Sequence, residues 1–413
     1  MPILVFAVGI YLLFKLRFFF ILHPFRTVKA FTRSAKDPES RRALFLALAG
    51  TLGVGNIFGV AAGIIYGGAG SVFWLAVSSV FAMVIKYSEC VVSFDYLGDG
   101  CGGMHCVLRR CFPLGGKILS SFYAALCIAL SLFMGAAMQS ASAAAVAGES
   151  VSIGARPASL IFTAAVLFGI VGGCEKIARI TEKLIPLTMI VYIILSFSAI
   201  FLNIHRFFEV IREIIDDAFS FDAAVGGGVS FLFSRQISEG FARGILSNEA
   251  GCGTSSLAHT KSGDRTPHEA GVSGIAEVFF DTSLLCMLTA FMILLATPYP
   301  RTFSSPMALV SDAVVGTLGK WAGVPLTLSI FVFAYSTVIC WYSYGAECGK
   351  YIFGKPITVV FLPLFLAFVL FGAYLPTRAL ISVTDALMLF LCLLTLSVLV
   401  KRSESIKALC LEE

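Results

Sequence analysis

The sequence predicts an all-α integral membrane protein of about eleven transmembrane helices, and three observations carry that prediction. Of 413 residues, 58% are hydrophobic and only 13% are charged, about half the charged fraction of a soluble domain. A soluble protein must still wet its surface, so the missing charge points to lipid as the solvent. Apolar stretches near the roughly 20 residues that a bilayer-spanning helix requires recur along the chain. Lys and Arg are then distributed unevenly between the connections, with 21 in one alternating set of ends and 6 in the other. That is the bias produced when basic loops stay on the cytoplasmic side.

The spans are expected at about 3–22, 43–66, 70–95, 118–147, 157–173, 184–203, 223–240, 271–297, 323–349, 356–374 and 379–400. The first is interrupted by Lys15 and Arg17, whose long side chains can reach the interface from a helix end. These charges follow the apolar run instead of preceding it, so a secretory leader is not expected. The charge bias places the N-terminus outside and the C-terminus in the cytoplasm of a cell-membrane protein. Residues 204–222, with Phe207, Phe208, Val210, Ile211 and Ile214 around Arg212, Glu213 and Asp216, read as an amphipathic helix on the outer surface. The Gly-rich stretch 234–270 reads as a long cytoplasmic connection. No segment reads as a separate soluble domain, so residues 1–413 are expected to form one transmembrane unit.

Several function classes are excluded. The net charge of +5 is not gathered into a basic run with interleaved aromatics, so nucleic acid is not an expected partner. The twelve cysteines are scattered through apolar segments, where a thiol behaves as a small hydrophobe. Cys101, Cys106 and Cys111, with His105 among them, match no zinc spacing. An intramembrane hydrolase needs a nucleophile and a base within reach of each other. The five histidines (His23, His105, His205, His259 and His268) all fall at expected loops or ends, and Asp99 and Asp281 fall at different depths, so an enzyme is not expected.

Four features can carry chemistry. Gly50-Thr51-Leu52-Gly53-Val54-Gly55-Asn56-Ile57-Phe58-Gly59 lies in mid-span, and glycine at this density weakens a helix. Unwound backbone at membrane depth is tolerated only where protein covers it or a cavity opens beside it, and such breaks offer amides to anions and carbonyls to cations. The plainer reading is close helix packing across Gly55 and Gly59, but Thr51 and Asn56 add polar groups that packing does not need. Gly226-Gly227-Gly228, five spans later, is the matching interruption expected of an inverted repeat, with halves 43–203 and 223–400 and 3–22 as an extra helix. Ser336-Thr337 either bonds back to its own helix or supplies oxygen ligands to a hard cation. Glu277 and Asp281 lie four apart on one helical face, where ionisable groups default to function. Glu277 is near enough to a span end to be solvated, whereas Asp281 is deeper. Lys86 and Glu89 are expected to pair structurally, and Gln139 and Trp341 are candidates that sequence does not separate from packing.

Taken together, these residues resemble the alanine/glycine:cation symporter family, the sodium:alanine symporters. The resemblance rests on Ala49 through Ile57, Gly67-Gly68-Ala69-Gly70-Ser71-Val72-Phe73-Trp74, Lys176 through Pro186, and Arg243-Gly244-Ile245-Leu246-Ser247-Asn248-Glu249-Ala250-Gly251-Cys252-Gly253. Phe280-Asp281-Thr282 and Phe333-Ala334-Tyr335-Ser336-Thr337 complete it. It implies a leucine-transporter-like fold of two inverted five-helix repeats, and uptake of a small neutral amino acid driven by co-transported Na⁺. By the same analogy, sodium would sit between Ala49, Leu52 and Phe333 carbonyls and the Ser336 and Thr337 hydroxyls. The amino acid would contact Thr51, Gly53, Gly55 and Asn56 on one side and Gly226 and Gly227 on the other, with Gln139 and Trp341 completing the pocket. Asp281, with Glu277, would mark a second cation or proton site, which keeps a proton-coupled or exchange carrier as the alternative. Three positions depart from the family pattern: Gly228 replaces a usual Phe, Leu75-Ala76 replaces Met-Trp, and Met104-His105-Cys106-Val107 replaces Pro-Met-Tyr-Tyr.

Overall fold

The computed structural model describes residues 2–96, 102–220, 235–259, 266–298 and 300–411, and no strand occurs among them. Six helices there are long and apolar enough to cross a membrane: Gly70–Asp95, Gly116–Val151, Glu175–Leu202, Pro267–Ala296, Lys320–Phe353 and Thr377–Lys401. A seventh span is formed by Pro38–Thr51 and Gly55–Gly67, which meet at a bend of 46°. Four shorter apolar helices, Pro2–Lys15, Ala155–Ile170, Pro306–Gly316 and Ile357–Gly372, complete the apolar set.

Local chemistry sets many of the boundaries. The Asp37 carboxylate caps Pro38–Thr51 by accepting from Ser40 N at 2.8 Å, and Thr266 caps the Asp281 helix, Pro267–Ala296, through Glu269 N at 3.2 Å. Each cap satisfies an amide that the first turn leaves open. The bent span turns into Gly70–Asp95 at Gly68, whose φ is +83°. At Gly70 a side chain is impossible, because a Cβ would lie 2.3 Å from the Ala218 backbone nitrogen. That closeness docks Phe207–Ala218, the expected amphipathic helix, which buries Val210 and Ile214 and exposes Phe208. Asp217 accepts from Gly70 N at 2.7 Å, and Trp74 Nε1 donates to Ala218 O at 3.1 Å.

Two expectations fail here. The stretch 3–22 is not one helix: Pro2–Lys15 ends where Arg17 and Phe18 take left-handed conformations, with φ of 54° and 52°. A short turn, Phe19–Leu22, and the helix Pro24–Ser34 follow. Two basic groups carried deeper into hydrocarbon cost several kcal/mol, and Lys15 instead pairs with Glu404, just past the Thr377–Lys401 helix. The stretch 234–270 is not one long connection either: most of its described residues are helical. Arg235–Asn248 is a helix that buries Ile237, Phe241, Arg243 and Leu246 and packs along Gly70–Asp95. Its charges and glycines lower its mean hydropathy although it lies inside the bundle.

Candidate functional site

The bent span is the centre of the site. Pro38–Thr51 stops at the glycine string, and the chain resumes as a wide π turn, Gly55–Gly59, before Val60–Gly67. Neighbouring helices take up the backbone groups released at the break. Gln139 Oε1 accepts from Val54 N at 2.9 Å, Trp341 Nε1 donates to Gly50 O at 3.2 Å, and Thr337 Oγ1 donates to Ala49 O at 2.8 Å. Gln139 and Trp341, which the sequence does not separate from packing, thus both bond backbone atoms at the break. A Cβ on Gly53 would lie 2.7 Å from Thr337 Oγ1 and 2.9 Å from Gln139 Oε1, so the break is closely clasped from two sides. Gly55 and Gly59 both face Leu246, which gives them the packing role as well. Thr51 is buried and returns its hydroxyl to Ala47 O at 3.3 Å.

The five residues expected around a cation converge only in part. Thr337 and Ala49 are bonded directly, and Leu52 and Phe333 line one crevice with Gly53, Asn56, Ile57, Tyr192 and Leu285. The crevice is too narrow to admit a water molecule. Ser336 donates to Val332 O at 2.9 Å and Phe333 O at 3.0 Å, the back-bonded arrangement usual for a helical hydroxyl.

Asp281 joins the bent span to a second irregular stretch. It lies in a π segment, Phe279–Cys286, a wide coil that often marks function. Asn56 Nδ2 donates to Asp281 Oδ1 at 2.5 Å and to its backbone oxygen at 3.0 Å. Asp281 Oδ2 accepts from Ser247 and, at 2.8 Å, from Thr282, whose hydroxyl accepts from Asn248 Nδ2 at 2.9 Å. Asp281 and Asn56 are buried, and among the described residues Asn56 Oδ1 has no hydrogen-bond partner.

Gly226, Gly227 and Gly228 lie outside the described residues. Within the described residues, a further irregular stretch, 249–255, follows the helix that packs on the π turn Gly55–Gly59. There the helix Arg235–Asn248 gives way to left-handed Glu249, Gly251 and Gly253, with φ of 55°, 92° and 74°. Protein groups satisfy this buried backbone, as its depth requires. Glu89 Oε1 accepts from Gly251 N at 2.6 Å and Gly253 N at 3.1 Å, and Tyr123 donates to Cys252 O at 2.8 Å. In the sequence these residues stand out only as part of the family-like motif Arg243 through Gly253. The usable signal was two glycines interleaved with polar residues directly after a helix.

Glu89 is therefore not the partner of Lys86. The Lys86 ammonium lies 3.5 Å from Glu277 and donates to Ser255 at 2.7 Å. Ser255 and His259 in turn reach Glu277, at 2.8 Å and 3.0 Å. Lys86, Glu277 and His259 are all buried, so of the two readings of Glu277 the solvated one fails, and His259 sits at the end of a short buried helix, Ser256–His259. Each charge is tolerable there because its partners are at hand. Glu277 and Asp281 share a helix but serve different neighbourhoods.

Comparison with known proteins bears on this geometry. Residues 1–410 match the Sodium:alanine symporter family. The chain is 30% identical to the sodium/alanine symporter AgcS of Methanococcus maripaludis, over 86% of this chain and 81% of that protein. It is 27% identical to the probable sodium/glutamine symporter GlnT of Bacillus subtilis, over 94% of this chain and 82% of that protein. Among solved structures, a manganese transporter of Eremococcus coleocola has a similar fold. Its TM-score is 0.56 at 14% identity, over 87% of this chain and 78% of that one. With the family matched along almost its whole length, this chain belongs to the sodium:alanine symporter family and is a multi-pass membrane transporter, not an enzyme.

Proposed function

We propose that this transporter couples Na⁺ entry to uptake of a small neutral amino acid, alanine or glycine, across the cytoplasmic membrane. The observation that carries the reading is the meeting of two irregular backbone stretches at one buried polar centre, with Thr337 on Ala49 and Asp281 between Asn56 and Ser247. Sodium would be held by the carbonyls of Ala49, Leu52 and Phe333 with Thr337, and with Ser336 once its hydroxyl turns from its own helix. The amino acid would contact Thr51, Gly53, Gly55 and Asn56, with Gln139 and Trp341 alongside and Gly226 and Gly227 opposite. Asp281 and Asn56 Oδ1, which has no hydrogen-bond partner among the described residues, are hard oxygen donors suited to a second cation or the substrate ammonium. Glu277, held by Lys86 and His259, leaves that role to Asp281.

The same reading takes 43–203 and 223–400 as inverted repeats within about eleven spans, with the C-terminus cytoplasmic. Ions bound at the break would order it, and sodium and substrate would then strengthen each other's binding by about 1–3 kcal/mol. The buried Lys86–Glu277–His259 group favours one second reading, coupling to protons.

The test is uptake of labelled alanine, glycine and glutamine into proteoliposomes, with and without an inward Na⁺ gradient. Sodium-driven accumulation of alanine or glycine is the expected result. Uptake indifferent to Na⁺ but driven by a pH gradient would move the assignment to proton coupling, and glutamine alone would change the substrate.

A further inference from the structure

The helix Pro24–Ser34 is not used by the transport site, and its two faces differ. Its inner face is fixed to the Asp281 helix: Ser34 Oγ and Ser273 Oγ lie 3.1 Å apart, and the Phe31 and Phe280 rings are 6.2 Å apart between centroids. Its outer face presents Phe25, 89% exposed, and Val28, 59% exposed, beside exposed Arg26, Lys29 and Arg33. Lys36 follows one turn later and is exposed too. From Lys15 through Lys36 the chain carries six basic residues and no acidic one. Among the described residues, no ion pair engages Arg26, Lys29, Arg33 or Lys36; the nearby cations Arg41 and Arg42 are instead occupied by Glu182, at 3.1 Å and 3.2 Å.

The position matches the composition. The segment connects Pro2–Lys15 to the start of the bent span at Pro38, and Lys15 is tied to Glu404 past the end of Thr377–Lys401. It therefore lies at the end of the bundle where spans leave the hydrocarbon. A large aromatic and a β-branched residue beside a row of unpaired cations, at that depth, complement one environment: acyl chains next to phosphate headgroups.

We propose that Pro24–Ser34 and Lys36 form a binding surface for anionic phospholipid, with Phe25 and Val28 inserted among the acyl chains and Arg26, Lys29, Arg33 and Lys36 on the headgroup phosphates. Because the inner face rests on Ser273 and Phe280, the bound lipid steadies the helix that carries Glu277 and Asp281.

The test uses the full chain and needs no transport assay, so it stands apart from the proposed function. Purified protein in detergent is titrated with phosphatidylglycerol or phosphatidylcholine while thermal unfolding is followed. The expected result is stabilisation by phosphatidylglycerol beyond that by phosphatidylcholine, and its loss as salt is raised. Neutralising each cation lowers affinity for phosphatidylglycerol roughly fivefold, so the variant Arg26→Gln/Lys29→Gln/Arg33→Gln/Lys36→Gln loses the preference. If that variant does not fold, Lys29→Gln and Arg33→Gln, both at exposed positions, report the same decrement singly. Equal stabilisation of the wild type by both lipids, or variants that keep the wild-type preference, would overturn the proposal.

Discussion

Replacing Thr337 with alanine removes one hydroxyl from the tightest point of the proposed cation site. In the wild type that hydroxyl is buried and donates to Ala49 O at 2.8 Å, where the bent span loses its helical bonds. Its loss leaves the Ala49 carbonyl one donor short in a dry environment, a penalty of about 1–3 kcal/mol. If sodium uses the same oxygen, the half-saturating Na⁺ concentration for alanine uptake rises by roughly 5- to 150-fold, and at the upper end sodium dependence disappears over any practical range. Thr337→Ser separates the hydroxyl from the methyl: it keeps the oxygen and loses one buried methyl, worth about 0.8 kcal/mol. Sodium titration of uptake in proteoliposomes should therefore place serine close to wild type and alanine far from it. An alanine variant with wild-type sodium half-saturation would refute the assignment of Thr337 to the cation, and with it the use of the Ala49–Thr337 contact as the site.

Three further outcomes follow from the geometry. Gly53→Ala sets a methyl against Thr337 and Gln139 at under 3 Å. Overpacking of about 1–3 kcal/mol should cut the maximal uptake rate severalfold or more, and wild-type uptake in that variant would mean the break is looser than described. Lys86→Met leaves Glu277 buried without its ammonium, a loss of about 3–5 kcal/mol readable as a lowered unfolding temperature in detergent; adding Glu277→Gln should restore part of it, and failure to do so would show the pair is not coupled. His105, in the short helix after Gly70–Asp95, is buried against Tyr351, and burial pushes its pKa down from 6.5 to about 4 despite Glu347 nearby. The unfolded chain then binds the extra proton between about pH 6.5 and 4, so stability is complete above that window and falls by about 3 kcal/mol as pH drops through it. His105→Phe should shrink the loss in unfolding temperature between pH 7.5 and pH 5, and an unchanged loss would assign the acid sensitivity elsewhere.

Composition alone determined that the solvent of this protein is lipid and that its elements are helices, because both follow from averages over twenty-residue windows. The first break was equally legible. Seven consecutive residues with three glycines, Gly50 to Asn56, cannot form a good helix wherever they lie, whereas nothing in the spacing of Gln139 and Trp341 separates a contact with that break from packing. The kink at Lys15 and Arg17 is visible in the sequence as charge, but charge near a helix end is equally compatible with a continuous span over 3–22. Tertiary structure alone decided the partners of the buried charges. Lys86 reads as the natural mate of Glu89 three residues along, yet it faces Ser255 and Glu277, while Glu89 turns to the amides of Gly251 and Gly253. Most of Arg235–Asn248 and the irregular stretch after it read as a connection for the same reason. A hydropathy window counts each charged or polar residue as a cost, and the hydrogen bonds that offset the cost for Lys86 and Glu89 come from chain more than a hundred residues away.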